Sequence, residues 1–323
     1  MKKFKKMNLK LKNYKFQIKT TMLLLFFIII KIITIFYHKY KYKILPEKLF
    51  KDLKIYSIND TLDEIIINNK SISRFGDGEF SLMYGKNNLF QIYNKPLKKK
   101  LIKILRSNEK NLLIGINIPY SNKSLEKYNI EAKNYYYNLM NKNKFKIFKL
   151  IKKNKEYYSS DITRFYIDFK DKTNIPNYIK KLKKIWDKKN VVIIEGEKSR
   201  LGVGNDLFNN MKSIQRIICP VKNAFIVIDK IKNEVINKID KKKLVLLALG
   251  PTATVLAYDL YKLGYQVVDV GHIDIEYEWF LKNTTKKISI KNKYVAEVNG
   301  GNNKFTKVKD KKYYNQIISK IFR

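Results

Sequence analysis

The chain has 323 residues, of which 68 are lysine or arginine and 28 aspartate or glutamate, a formal charge of +40. One cysteine and two histidines exclude an internal disulfide and any Cys-rich or multi-His zinc site, and the length supplies ample core. Only Arg74, Arg106, Arg164, Arg200, Arg216 and Arg323 are arginine, and the lysines are spread among Asn, Ile and Tyr. This is not the Arg-and-aromatic patch of a nucleic-acid reader, so no nucleic acid is expected and a membrane surface or anionic ligand fits better.

The first 20 residues carry eight lysines and form a basic segment. Met22 to Tyr37 is apolar except for Lys31, so residues 21–38 read as a transmembrane or interfacial helix. A lysine near the centre of a span costs roughly 2.5–3.5 kcal/mol unless it snorkels. No small-residue cleavage site follows, which argues against a cleaved signal peptide. Lysines flank both ends (Lys15 and Lys19 before, Lys39, Lys41 and Lys43 after). The expectation is a membrane-associated protein, single-pass or peripheral, with its globular part on the cytoplasmic side. Residues 39–56 read as a basic, proline-marked linker and 57–323 as one globular domain.

Thr61 to Asn69 has the acidic first turn and apolar face of an opening helix. Ser71 to Gly85, SISRFGDGEFSLMYG, reads as a short strand, a Gly-Asp-Gly-Glu turn and a short helix. Gly76 and Gly78 around Asp77 allow close backbone approach to a ligand, and Asp77 and Glu79 sit at the tip. Pro96 opens a basic amphipathic helix to about Arg106, and Leu112 to Asn117 is a buried strand. Ser124 to Lys153 is helical and covers the sheet, with Tyr135, Tyr136 and Tyr137 read as packing residues. Tyr158 to Phe169 is an aromatic strand or turn around Arg164, and Ile179 to Trp186 returns to helix.

Val191 to Met211, VVIIEGEKSRLGVGNDLFNNM, reads as a buried strand, a glycine-bearing loop and a helix capped by Asn205 or Asp206. Arg200, Gly202, Gly204 and Asn205 would then form a pyrophosphate cradle, although no Walker motif is present. Ile214 to Cys219 is a strand and Asn223 to Ile239 a helix. Leu244 to Leu249 is an apolar strand ended by Gly250 and Pro251. Thr252 can cap the next helix, Gly264 stops it, and Gln266 to Val270 is the following strand. In such a βαβ unit the ligand lies beyond the carboxyl ends of the strands, so Gly250 and Thr252 share a crevice with DVGHIDIEYE at 269–278. That segment reads as an acidic loop whose His272, Asp274, Glu276 and Glu278 suit a hard divalent cation or a general base.

Arginine is the exception among so many lysines, so Arg74, Arg164 and Arg200 are candidates for bidentate contact with phosphate or carboxylate. Taken together, SRFGDGEF at 73–80, EGEKSRLGVGNDLF at 195–208, ALGPTATVLAYDL at 248–260 and GHIDIEYEWF at 271–280 resemble the bacterial GT-D type glycosyltransferases over roughly 57–300. The resemblance implies an α/β, Rossmann-like domain with a mostly parallel sheet. It also implies transfer of a sugar from a nucleotide-sugar donor, such as a UDP-sugar, to a glycan or glycoprotein acceptor, with Mn²⁺ or Mg²⁺ held by a D-x-E motif.

D-x-E occurs twice here, as Asp77-Gly78-Glu79 and as Asp274-Ile275-Glu276, and the second is preferred because it follows the better-defined strand. The metal candidates are thus Asp274, Glu276 and Glu278, with Asp77 and Glu79. Arg74 and Arg200 are assigned to phosphate, Asp77 to the sugar or base catalysis, and His272 to a hydrogen bond with the donor or leaving group. The alternatives are a Rossmann-type methyltransferase or dehydrogenase, for which Gly250 and Asp269 are suitably spaced, and a membrane-tethered module binding polyanions.

Overall fold

The computed structural model describes residues 2–298, 308 and 310–322, with the side chains of 2–13, 15 and 38–46 outside that description. The readings placed on Lys15, Lys39, Lys41 and Lys43 therefore fall on side chains outside the described residues.

Helix α1, Lys2–Leu49, is continuous. The linker expected at 39–56 is thus mostly helix, and its end enters the domain: Phe50 is buried and its ring meets Phe148 at 5.8 Å. Beyond it the chain alternates strand and helix. Strands are β1 (Lys54–Ile55), β2 (Ser71–Phe75), β3 (Leu112–Ile116), β4 (Glu156–Ser159), β5 (Asn190–Gly196), β6 (Ser213–Cys219), β7 (Leu244–Ala248), β8 (Val267–Asp269) and β9 (Ile317–Lys320). Helices are α2 (Ile58–Ile67), α3 (Asp77–Met83), α4 (Lys95–Arg106), α5 (Asn122–Leu125), α6 (Ile130–Leu150), α7 (Ile175–Lys183), α8 (Ile228–Lys238), α9 (Pro251–Lys262), α10 (Ile273–Leu281) and α11 (Lys311–Asn315).

The strands form one parallel sheet in the order β1-β4-β3-β2-β8-β7-β5-β6-β9. A parallel sheet covered on both faces needs strands apolar on both sides. In β5, Val192 and Ile194 enter one core layer with α4, α8 and α9, while Val191 and Ile193 enter the other with α7, Trp186 and Trp279. The strand order reverses between β2 and β8, since β3 and β4 extend the sheet on one side while β8 and β7 lie on the other. Crevices at such a reversal, outside the carboxyl ends of the strands, are where open α/β sheets bind ligands.

Two local expectations are corrected. No helix follows β5: residues 197–210 form successive turns, with Asn205 Oδ1 accepting from Leu207 N at 3.1 Å. Gly202 and Gly204 hold positive φ, which breaks helical geometry there. The acidic segment after β8 is not a loop but α10, with His272 at its N-cap and Asp274, Glu276 and Glu278 buried. Thr252 does not cap α9 either. Gly250, at φ 53° and ψ −142°, holds that place.

Candidate active site

A cavity of about 560 Å³ opens at the carboxyl ends of the central strands. That volume lies within the usual range for small-molecule sites. Asp77, Gly78 and Glu79 from α3 line it, with Tyr135 from α6, Arg164, Gly250, Gly271, His272, Asp274 and Glu297.

The first D-x-E is the accessible one. Asp77 is exposed, and its Oδ2 accepts from the Tyr135 hydroxyl at 2.5 Å. Glu79 turns back so that Oε2 accepts from Gly76 N at 2.7 Å. Burial, then the nearby Asp269 and Asp77 charges, push its pKa up to about 7 against that hydrogen bond.

The second D-x-E is dispersed by its helix. Residues two apart on an α-helix point about 200° apart, so Asp274 and Glu276 cannot chelate one ion. Asp274 Oδ1 accepts from Gly202 N at 2.9 Å and Asn205 Nδ2 at 2.8 Å. Lys293 Nζ lies 2.6 Å from Asp274 Oδ2 as an ion pair without hydrogen-bond alignment, and donates to Glu278 Oε1 at 2.8 Å. Glu276, on the opposite side, takes the backbone N–H groups of Tyr166 and Ile167 at 2.9 and 3.0 Å. Its burial, outweighing Arg164, pushes its pKa up to about 7. Together, these acids hold the 197–210 turns, the 290s segment and the 160s turn around α10. Among the described residues, no three His, Cys, Asp or Glu side chains converge in a metal-holding group.

Arg74 is a brace. Its Nε donates to Asp269 O at 2.7 Å, one terminal nitrogen to Ser160 O at 3.0 Å and Thr163 Oγ1 at 2.5 Å, and the other to Asp269 Oδ1 at 3.0 Å. These bonds tie β2, β8 and the turn after β4 together and direct the fork at protein acceptors rather than a ligand. A Cβ on Gly271 would overlap that guanidinium.

Arg200 is directed to Asn292 O at 3.1 Å, while its neighbours Ser199 and Leu201 line the cavity. Gly202, Gly204 and Asn205 line a separate cavity of about 430 Å³ beside Arg216 and Tyr313. Glu195 and Arg216, paired at 2.5 Å, brace this loop through Leu201 N and Leu201 O. The structure therefore does not bring Arg200 and these glycines together with Asp77. Thr252 is buried, its hydroxyl near Gln91 Oε1 at 3.4 Å, and only its neighbours Gly250 and Pro251 line the cavity.

His272 does reach the cavity. Its ring lies edge-on to Trp279 at 5.4 Å, and Nε2 is buried without a hydrogen-bond partner. Burial lowers its pKa to about 3, so the imidazole is neutral at physiological pH. Glu297 lies opposite, with Oε2 at 4.0 Å from Nε2, paired with Arg164 and 3.5 Å from Lys287. Burial opposes its ionisation, yet its pKa falls well below the carboxylate range. A charged His272 would favour that, and with the imidazole neutral, Arg164 and Lys287 supply the positive charge. Sequence reading passed over Glu297 and took Tyr135 as packing. Nothing local marks Glu297, because its partner Arg164 is 133 positions away.

The family model described as glycosyltransferase GT-D fold matches residues 72–298. The chain is 40% identical over 256 residues to a probable glycosyl transferase Gly of Streptococcus gordonii, covering 79% of this chain and 36% of that protein. It is 36% identical over 275 residues to the glycosyltransferase GlyD of Streptococcus pneumoniae serotype 4, covering 85% and 33%. The chain thus spans about a third of the length of the curated relatives it matches. A solved structure described as domain of unknown function 1792, with a distinct glycosyltransferase fold, superposes with a TM-score of 0.79 at 36% identity, covering 86% of this chain and 98% of that one. A fold shared along nearly the whole of that structure, with a family match that takes in both D-x-E triplets, leaves one assignment: this chain belongs to the GT-D family of glycosyltransferases.

Proposed function

We propose that the domain moves a sugar from a nucleoside-diphosphate sugar, a UDP-sugar, to a hydroxyl of a glycan acceptor in glycoprotein or surface-polysaccharide synthesis. One observation carries this reading. At the sheet's reversal point, a ligand-sized cavity gathers an open carboxylate, a carboxyl with a pKa near neutrality, a neutral histidine and an arginine.

In the transfer, the bond from the anomeric carbon to the diphosphate breaks, a bond to the acceptor oxygen forms, and the hydroxyl proton must be taken up. Glu79, with a pKa of about 7, is the group suited to hold that proton at neutral pH. His272, which lines the cavity and whose Nε2 has no hydrogen-bond partner, is assigned a hydrogen bond with the donor or leaving group.

A divalent ion fits here only in the manner of Mg²⁺ or Mn²⁺, which bind through one or two carboxylates plus phosphate oxygens and waters. Asp77, open at the rim, is the carboxylate that would hold it; Glu79, two residues on in the same helix and turned back to Gly76 N, would not share the ion. Such an ion would supply neutralisation of the charge that builds on the leaving diphosphate. The inward-turned Asp274, Glu276 and Glu278 do not serve this purpose.

We further propose that the apolar stretch Phe16–Tyr37, none of it buried in the structure, anchors the chain in a membrane with the domain on the cytoplasmic side. The test of the enzymatic reading is titration with UDP and a panel of UDP-sugars, with Mn²⁺ and with EDTA, followed by mass spectrometry of the products. Binding and donor hydrolysis that require Mn²⁺ and fail in Asp77→Asn are expected. Equal binding by that variant, or a thermal shift with S-adenosylmethionine or NAD alone, would overturn it.

A further inference from the structure

Helix α6 has two working faces. Tyr135, Leu139 and Asn143, four residues apart, line the cavity described above. Ile130, Lys133, Asn134, Tyr137 and Asn138 follow the i, i+3, i+4 rule along another stripe and line a separate groove of about 920 Å³. The far wall of that groove is α1, through Lys31, Thr34 and Ile35, again one helical stripe. The two helices run side by side in the same direction. Lys31 to Ile35 face the start of α6, and Phe50 meets Phe148 near its end.

This pairing conflicts with a membrane boundary placed simply at the edge of the domain. If lipid ended at Lys31, only Phe16 to Ile30 would remain inside it. Those are roughly 15 residues, or about 22 Å of helix, against a hydrocarbon core of about 30 Å. Carrying the span on to Tyr37 restores about 33 Å, and it places the start of α6 beside the last turns of the span. The surface there suits that position. Ile130 is 78% exposed, the most exposed large apolar side chain among the described residues, and Lys31 on one wall and Lys133 on the other both line the groove. Exposed Lys123 lies close by on α5.

We propose that the corner made by α5 and the first turns of α6 sits in the lipid headgroup layer as a second membrane contact. Its groove against α1 takes the phosphate of an anionic phospholipid, held between Lys31 and Lys133. Lysine near the end of a span directs its ammonium to the headgroup level along its aliphatic stem. Glu126 also lines the groove and repels a phosphate from its own side, which confines the phosphate to the lysine side. Ile35 and Ile130 supply apolar wall for the acyl chains. The proposal rests on α1 being a membrane anchor, and the two can fail separately.

The full chain, reconstituted in vesicles of phosphatidylcholine with or without phosphatidylglycerol, carries the test. Cys219 is buried, so a fluorophore can be placed at Ile130→Cys and, as a reference at the opposite ends of the strands, at Lys242→Cys. Nitroxide placed at the lipid headgroup should quench the label at 130 at least threefold more than that at 242. Native mass spectrometry should show phosphatidylglycerol retained by the parent and lost in Lys31→Gln/Lys133→Gln. Resistance to carbonate extraction with equal quenching at both sites would overturn the corner contact and leave the anchor standing. Release by carbonate would overturn the anchor and the proposal with it. Quenching at 130 with no preference between the two lipids, or with retention unchanged in the double variant, would overturn the phosphate site.

Discussion

The two D-x-E triplets share a spelling and almost nothing else. Asp77-Gly78-Glu79 starts a short helix at the rim of the cavity, where Asp77 is exposed and accepts from the Tyr135 hydroxyl and from the N–H of its own neighbour Gly78. Asp274-Ile275-Glu276 lies in a helix whose two carboxylates point into protein on opposite sides, each with its own set of donors. What separates an acid left open to the cavity from an architectural one is therefore the inventory of partners around it, which the triplet itself does not encode. The spelling of the motif does not distinguish them; the hydrogen bonds do.

That contrast can be broken by exchanging the roles of the two sites. Asp77→Asn should lower donor turnover by at least about 10²-fold, the usual cost of losing a group that acts on transition-state charge, while the melting temperature stays unchanged. Asp274→Ala should do the reverse. It takes one of two carboxylates from the buried ammonium of Lys293, leaving Glu278, and unpairs the Gly202 N–H, and should cost about 1–3 kcal/mol of stability in urea unfolding. If Asp274→Ala folds with parental stability and loses only turnover, the comparison is inverted.

Glu276 sharpens the contrast through pH. Its pKa is raised from 4.5 to about 7 in the folded chain, so between those values the native state keeps a proton that the unfolded chain has released. Its contribution to stability is therefore full below about pH 4.5 and declines as pH rises to 7. Glu276→Gln removes that decline. The variant's melting temperature, taken relative to the parent, should rise by several degrees from pH 5 to pH 8, and a flat difference would show that Glu276 is ionised throughout. Tyr135→Phe is the mildest change. Removing one hydrogen bond to the open carboxylate, worth about 1 kcal/mol, should reduce turnover roughly fivefold without moving stability.

Much of this architecture was legible in the sequence because parallel strands covered on both faces read as short unbroken apolar runs. Leu244 to Leu249, Val191 to Ile194 and Leu112 to Ile116 announce themselves that way, and Gly264 stops α9 at φ 90° as expected. The edge strands did not: β1 has two residues, and β9 is a half-exposed stretch after a lysine-rich segment. The site was half legible. Asp77, Glu79, His272 and Gly250, picked out through glycine turns and strand ends, line one cavity. Arg74 and Arg200 stand out as rare arginines suited to phosphate, but in the structure they hold backbone carbonyls. The acidic run at 274–278 reads as a loop, yet it is helical. Lys293 and Asn205, distant in the chain, neutralise or cap two of its acids, and burial holds a proton on the third.

The brace at Arg74 ties two distant codons together. Because a β-carbon at position 271 would occupy the space of the guanidinium, any descendant that acquires a side chain there must first surrender the arginine, and with it the clasp between neighbouring strands. The order of change is therefore set, 74 before 271, and a survey of close relatives should find alanine or serine at 271 only where 74 is no longer arginine.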